Sequence, residues 1–207
     1  MRISRNVLII AAVAVVLAAA SFAQECGAGA DVPIENAAAP AEGPQVALRT
    51  DTAFAYCALE MTGSYDQHSA AFEKLYGAAM QQGIYGGTPF GVYWNSPSNT
   101  PVEKLSWDVG FALPAGQTPK EPLKVKQWPF TTMAVLEYSG SFVDSAMAGS
   151  YAAIFNWIGE NGYKPAGPCM EAYLNIPSAD EKGVLVGTVE IIVPIEKAPP
   201  AKEKRTK

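Results

Sequence analysis

The 207 residues carry 20 acidic against 15 basic side chains, a formal charge of −5, and are 49% hydrophobic. That hydrophobicity excludes a generally disordered chain, and the acidic balance argues against a nucleic-acid binder, whose surface would carry a clustered basic face. The dense basic run, Lys202 to Lys207, follows Pro199-Pro200, and residues 196–207 read as a solvated tail.

Arg2 and Arg5 precede an uncharged apolar run from Val7 to Ala20, and Ser21-Phe22-Ala23 places small residues where cleavage before Gln24 needs them. Residues 1–23 therefore read as an export signal, its apolar part short against the roughly 20 residues of a spanning helix. If retained, it would serve as a membrane tether. The expected location is outside the cytoplasm, periplasmic or anchored at the outer face of the inner membrane. Glu25, beside Cys26, is not the small residue that a lipoprotein signal requires. Residues 24–48 are rich in Ala, Pro and Gly and read as a flexible spacer.

The globular part, 49–195, is long enough for one domain with its own core. It opens with a strand-like run, Phe54 to Leu59, then Glu60-Met61-Thr62-Gly63-Ser64-Tyr65. Phe72, Leu75, Tyr76, Ala79 and Met80 recur at helical spacing, with Ser64 or Asp66 as a cap and Gly83 as the stop. Two strands follow, near 90–94 and 106–113, and residues 115–127, rich in Pro, Gly and Lys, read as a linker.

The same order then returns. Thr131 to Leu136 is a strand run, and Leu136-Glu137-Tyr138-Ser139-Gly140-Ser141-Phe142 matches Leu59 to Tyr65. Met147, Tyr151, Ile154, Phe155 and Ile158 form a second helical stripe ended by Asn161-Gly162. Strands near 170–174 and 184–193 close the unit, and Leu113-Pro114 recurs as Val193-Pro194, 80 residues later. Modules 49–114 and 127–195 are thus two copies of strand-helix-strand-strand. Neither alone gives its helix enough sheet to cover, so the expected architecture is α+β, an antiparallel sheet with two main helices and a pseudo-twofold between halves.

The copies differ at one telling place. Tyr93-Trp94-Asn95 has its counterpart in Tyr173-Leu174-Asn175, but where the later copy carries Glu171 the earlier carries Gly91. Strand alternation puts Glu171 and Tyr173 on one face; Tyr93 takes the equivalent place in the other half. Trp107, whose counterpart is Gly187, belongs to the same parity as Val109 and Val189. The candidate ligand-binding residues are Glu171, Tyr173, Tyr93 and Trp107, three aromatic walls and a charge. The two tyrosines equally suit a sheet core under the helices. Glu190 and Asp108 fall on the opposite parity and read as structural, and the matching Glu60 and Glu137 suit a shared structural role.

Three cysteines in an exported chain leave one over. Cys57 and Cys169 either bridge the halves or are two small buried hydrophobes, and Cys26 is free for intermolecular pairing. There is no CxxC, and His68 is the single histidine, so no metal site, catalytic triad or cofactor is expected.

The order strand–Gly–helix–Asn161-Gly162-Tyr163, Gly167-Pro168, Glu171-x-Tyr173, Pro177, ending in Thr188 to Ile195, resembles the GyrI-like small-molecule-binding domain, the effector-binding domain of AraC-type and MerR-type multidrug regulators. The resemblance covers about Ala53 to Ile195. It implies a cleft near the pseudo-twofold that takes up bulky, lipophilic, often cationic compounds, with Glu171 at the position of the family's buried glutamate. Unlike the regulators, this sequence shows no DNA-binding segment and starts with an export signal. The expected function is an exported binding module for a small hydrophobic molecule, cationic or neutral. A hydrolase of the GyrI-like type, with Glu171 as general base, is the alternative. Haem binding, through His68 or a tyrosine, is the third.

Overall fold

The computed structural model describes residues 45–142 and 144–199, so the expected export signal, most of the expected spacer and the basic run lie outside the described residues. In chain order the elements are β1 (Val46–Thr50), β2 (Phe54–Thr62), α1 (His68–Gln81), β3 (Pro89–Tyr93), β4 (Ser106–Ala112), β5 (Lys124–Trp128), β6 (Thr132–Ser141), α2 (Asp144–Glu160), β7 (Tyr163–Pro165), β8 (Cys169–Tyr173), β9 (Ser178–Ala179) and β10 (Leu185–Lys197). β-branched and aromatic residues dominate the long strands, where their side chains pack on a pleated surface. Both helices stop at a glycine with positive φ, Gly83 and Gly162 (68° in each), the conformation that ends a helix without a Cβ clash.

Among the described residues the fold is α+β: a ten-stranded sheet with two α-helices, its path running β1-β6-β10-β8-β3-β4-β2-β5, with β7 and β9 also pairing β10. The order reads the same from either edge, since β5-β2-β4-β3 repeats β1-β6-β10-β8 unit for unit. Every pairing is antiparallel, and the halves meet at β3–β8, where Gly91 lies opposite Glu171 and Tyr93 opposite Cys169.

Three boundaries differ from the sequence reading. β1 starts inside the expected spacer and pairs with β6, so that Arg49 lies opposite Met133. β5 starts inside the expected linker, runs to Trp128 and pairs with β2. β10 runs two residues into the expected tail, where Glu196 and Lys197 pair with Lys164 and Tyr163. β1 and β5 are edge strands, and their mixed polar sequences follow from having one edge in water. Each precedes the first long strand of one half in sequence but pairs with that of the other, which ties the halves together.

Each helix presses one row onto the sheet. Ala71, Leu75 and Ala79 of α1 pack on Cys57, Leu59, Trp107, Val109 and Phe111, and Ile154 and Ile158 of α2 pack on Ala134, Leu136, Ile191 and Val193. Burial of a leucine or isoleucine side chain contributes about 1.5–3 kcal/mol. The buried row of α1 is turned from the expected stripe, leaving Tyr76 and Met80 40% and 48% exposed. On the opposite face a third cluster gathers Tyr56, Phe90, Val92, Met170 and Ile192, joined by Trp128 of β5 and Met133 of β6. Those last two come from opposite ends of the sheet path, so the sheet curls over this helix-free face.

Candidate functional site

The site lies at the seam of the halves, on the helix-bearing face. Alternation along β8 sends Met170 and Ala172 into the helix-free cluster and leaves Glu171 and Tyr173 on the side of the helices. Glu171 is 9% exposed. Its Oε2 accepts hydrogen bonds from Tyr93 of β3 (2.8 Å) and Tyr173 of β8 (2.8 Å). Its Oε1 accepts one from Tyr151 of α2. Among the described residues no lysine or arginine pairs with it.

α1 supplies the fourth group. A 3-10 turn at Tyr65–Gln67, capped by Ser64 Oγ accepting from the Asp66 amide, delivers His68 as the first residue of the helix. Its Nε2 lies 2.6 Å from the Tyr93 hydroxyl. A phenol has one proton, and that of Tyr93 goes to Glu171, so neutral His68 carries its hydrogen on Nε2 and donates it to Tyr93. The imidazole lies parallel to the rings of Trp107 (centroids 5.3 Å apart) and Tyr93 (5.9 Å), each within 10°. Phe72 and Tyr173 meet it edge-on at 5.3 and 5.6 Å.

Two glycines make room. A Cβ on Gly91 would stand 2.7 Å from the Tyr93 hydroxyl and 3.3 Å from His68 Nε2, so its absence opposite Glu171 lets both side chains reach the seam. At Gly187, a Cβ would fall 2.8 Å from Phe142, whose ring meets Tyr173 edge-on at 6.0 Å. The strand ends are braced alike in both halves: Asn95 Oδ1 accepts from the Ser106 amide at 2.7 Å and Asn175 Oδ1 from the Thr188 amide at 2.9 Å.

The electrostatics follow from burial beside a carboxylate. Desolvation first, then the charge of Glu171, pushes the hydroxyls of Tyr93, Tyr151 and Tyr173 well above the ordinary phenol value. The same causes push the Cys169 thiol up to about 11. Desolvation lowers the pKa of His68, and the attraction of Glu171 opposes it.

Of the four residues singled out in the sequence, Glu171, Tyr173 and Tyr93 come together. Trp107 does not touch Glu171. It lies fully buried beneath His68, its Nε1 donating to the Gly63 carbonyl at 3.2 Å. At Gly187, its counterpart in the other half, the missing side chain leaves room that Phe142 and Asn175 take up. Two residues that join Glu171, Tyr173 and Tyr93 were not among the four. Tyr151 sits in the α2 stripe and read as core, and His68 starts its helix among polar residues; only the register that sets β3 against β8 gives either a role. Cys57 and Cys169 are free thiols. β4 and β3 separate their strands, three spacings of about 4.8 Å each, beyond the reach of a disulfide.

An open pocket of about 330 Å³ lies elsewhere, on the helix-free face, lined by Phe54, Phe90, Trp128 and Met133 with Arg49 and Glu190. Arg49 is paired twice there: its Nη1 donates to both Glu190 oxygens at 2.8 Å, and its Nε lies 2.9 Å from Asp51 Oδ2. Nearby, Asp108 is 1% exposed and bonds Tyr56 (2.9 Å), Trp94 Nε1 (3.0 Å) and Lys126 (2.8 Å). These are structural networks. Among the described residues, Glu171 is the buried carboxylate that no lysine or arginine pairs.

Residues 44–196 match the family described as the GyrI-like small molecule binding domain. The chain belongs to that family. A curated relative of the GyrI-like chain, DNA gyrase inhibitor 2 of Dickeya dadantii (strain 3937), is 31% identical over 121 residues, 56% of this chain and 76% of the relative. Among solved structures, the EcmrR C-terminal domain aligns with a TM-score of 0.63 at 14% identity, covering 75% of this chain and 99% of that one. The longer EcmrR chain in its DNA complex is matched over 58% of its length (TM-score 0.62). A hydrolase from Listeria innocua aligns at 0.56 and 12% identity, over 76% of this chain and 94% of that one. At such identities the solved structures establish a shared fold.

Proposed function

We infer that the seam between α1 and α2 binds a small hydrophobic molecule, with a cation as the preferred ligand and Glu171 as its counter-charge. One observation carries this reading: a carboxylate 9% exposed, enclosed by aromatic side chains, with phenol donors but no basic partner among the described residues. Burying a lone charge is costly, and phenols soften that cost without cancelling the charge. A lipophilic cation completes the site, gaining about 0.5–2 kcal/mol from each aromatic face it covers. Tyr151 reaches Glu171 from a helix and not from the sheet, so its displacement with α2 opens the way in.

Phenols take three of the four lone-pair sites of the Glu171 carboxylate. That favours binding over hydrolysis with Glu171 as general base. The export signal makes the chain a periplasmic or membrane-tethered receptor, carrier or sequestering protein, whose mature form starts near Gln24. N-terminal sequencing of protein from the cell envelope tests that part, and intact Met1 in a cytoplasmic fraction contradicts it.

The binding test is calorimetric titration with N,N,N-trimethylanilinium, a fixed cation, and its neutral isostere tert-butylbenzene. Glu171→Gln keeps the shape and removes the charge. The cation should lose up to about 4 kcal/mol, the attraction of unit charges about 4 Å apart at the effective dielectric of a protein site, while the isostere is spared. Equal losses for both would reduce Glu171 to a structural residue.

A further inference from the structure

His68 is the titratable side chain that the binding reading leaves without a task. Around its ring, β3 presents Tyr93, β8 presents Glu171 and Tyr173, α2 presents Tyr151 through Glu171, and the turn before α1 presents Tyr65 against Tyr93 and Trp107. The phenol protons of Tyr93 and Tyr173 are both committed to Glu171. The oxygens they turn toward the imidazole therefore offer lone pairs. Nε2 faces Tyr93 at 2.6 Å, and the Tyr173 oxygen lies 3.4 Å from both ring nitrogens. An imidazolium would set its positive charge beside both oxygens, with the Glu171 carboxylate one phenol away and aromatic rings parallel to it.

We propose that His68 is a proton-loaded stand-in for the ligand: protonated, it supplies the positive charge that Glu171 otherwise takes from a bound cation, so that the site exchanges a proton for a cation. This rests on the cation-binding reading of the Glu171 seam and adds its regulation. The sign follows from linkage: a cation beside Glu171 repels a proton from His68, so protonated His68 repels the cation. Burial outweighs Glu171 and holds the His68 pKa below the ordinary histidine value, which sets the exchange on the acid side of neutrality. There, affinity for a fixed cation falls as pH falls, by up to tenfold per pH unit below the pKa of His68.

The test titrates trimethylanilinium into the wild type, His68→Gln and Glu171→Gln between pH 4.5 and 7.5. Calorimetry in two buffers of different ionisation enthalpy counts the protons released. Because His68 is the chain's single histidine, its ring resonances in the unmutated protein can be followed with and without cation, independently of how the variants fold. The expected result is a wild-type affinity that drops with pH, proton release on binding, a His68 titration shifted to lower pH by the cation, and a level profile in His68→Gln. Cation binding that Glu171→Gln abolishes, but whose pH profile is the same in His68→Gln and whose presence leaves the His68 titration in place, overturns the exchange and leaves the binding reading standing. No cation binding by the wild type at any pH overturns both.

Discussion

Gly91→Ala tests the bonded seam without touching a bonded side chain. Gly91 does not adopt a positive φ, so alanine brings no backbone strain, and in a strand it would ordinarily gain about 0.5–1 kcal/mol over glycine. Here its Cβ would stand 2.7 Å from the Tyr93 hydroxyl and 3.0 Å from the carbon bearing it. Tyr93 must move, and the movement pulls its hydroxyl from Glu171 (2.8 Å) and His68 (2.6 Å). A charged hydrogen bond is worth about 1.5–3 kcal/mol and overpacking costs about 1–3 kcal/mol. Offset by the strand gain and partial relaxation, the expected net loss is about 1–2 kcal/mol. In urea, with a slope of about 1–3 kcal/mol/M, the midpoint should fall by about 0.5–1 M with the slope unchanged. In a Tyr93→Phe background the clashing oxygen is gone, so the cost of alanine should shrink by about 1 kcal/mol or more. A Gly91→Ala protein as stable as the wild type, or an equal cost in both backgrounds, would refute the seam as described.

Asp108→Ala should destabilise by about 1–3 kcal/mol, because it removes the buried acceptor of Tyr56 and Trp94 Nε1 while Lys126 keeps its bridge to Glu60, and the loss should appear as a lower urea midpoint. The Cys169 thiol, pushed up to about 11 by burial and Glu171, should react slowly with iodoacetamide at pH 8, faster by about tenfold per unit as the pH rises toward its pKa. Because the unfolded thiol ionises first, near its ordinary value, the stability this group contributes is present below that value and lost as pH rises through about 11. A rate at pH 8 matching that of a free thiol would contradict its buried setting.

The long strands and both helices could be read from periodicity and from the recurrence 80 residues apart, because each carries its pattern locally. β1 and β5 were not, since an edge strand is half solvated and its identity depends on the strand it meets. Val46–Thr50 becomes a strand because β6 has a free edge, and that edge belongs to the other half. The same limit applies at the site. Alternation placed Glu171 and Tyr173 together, and the repeat added Tyr93, but Tyr151 and His68 become neighbours of Glu171 through the seating of two helices against a central register. Trp107 had the right parity and the wrong depth: His68 lies over it and separates it from Glu171.

The central claim is that Glu171 and its aromatic shell are the ligand site, in place of the open pocket on the helix-free face. Crystals soaked with 4-iodo-N,N,N-trimethylanilinium and measured for the anomalous signal of iodine would decide between them. The predicted result is an iodine peak in the seam between α1 and α2, with density for the ammonium beside Glu171 and Tyr151 displaced. A peak among Phe54, Phe90 and Met133, with the phenols still closed on Glu171, would contradict the account.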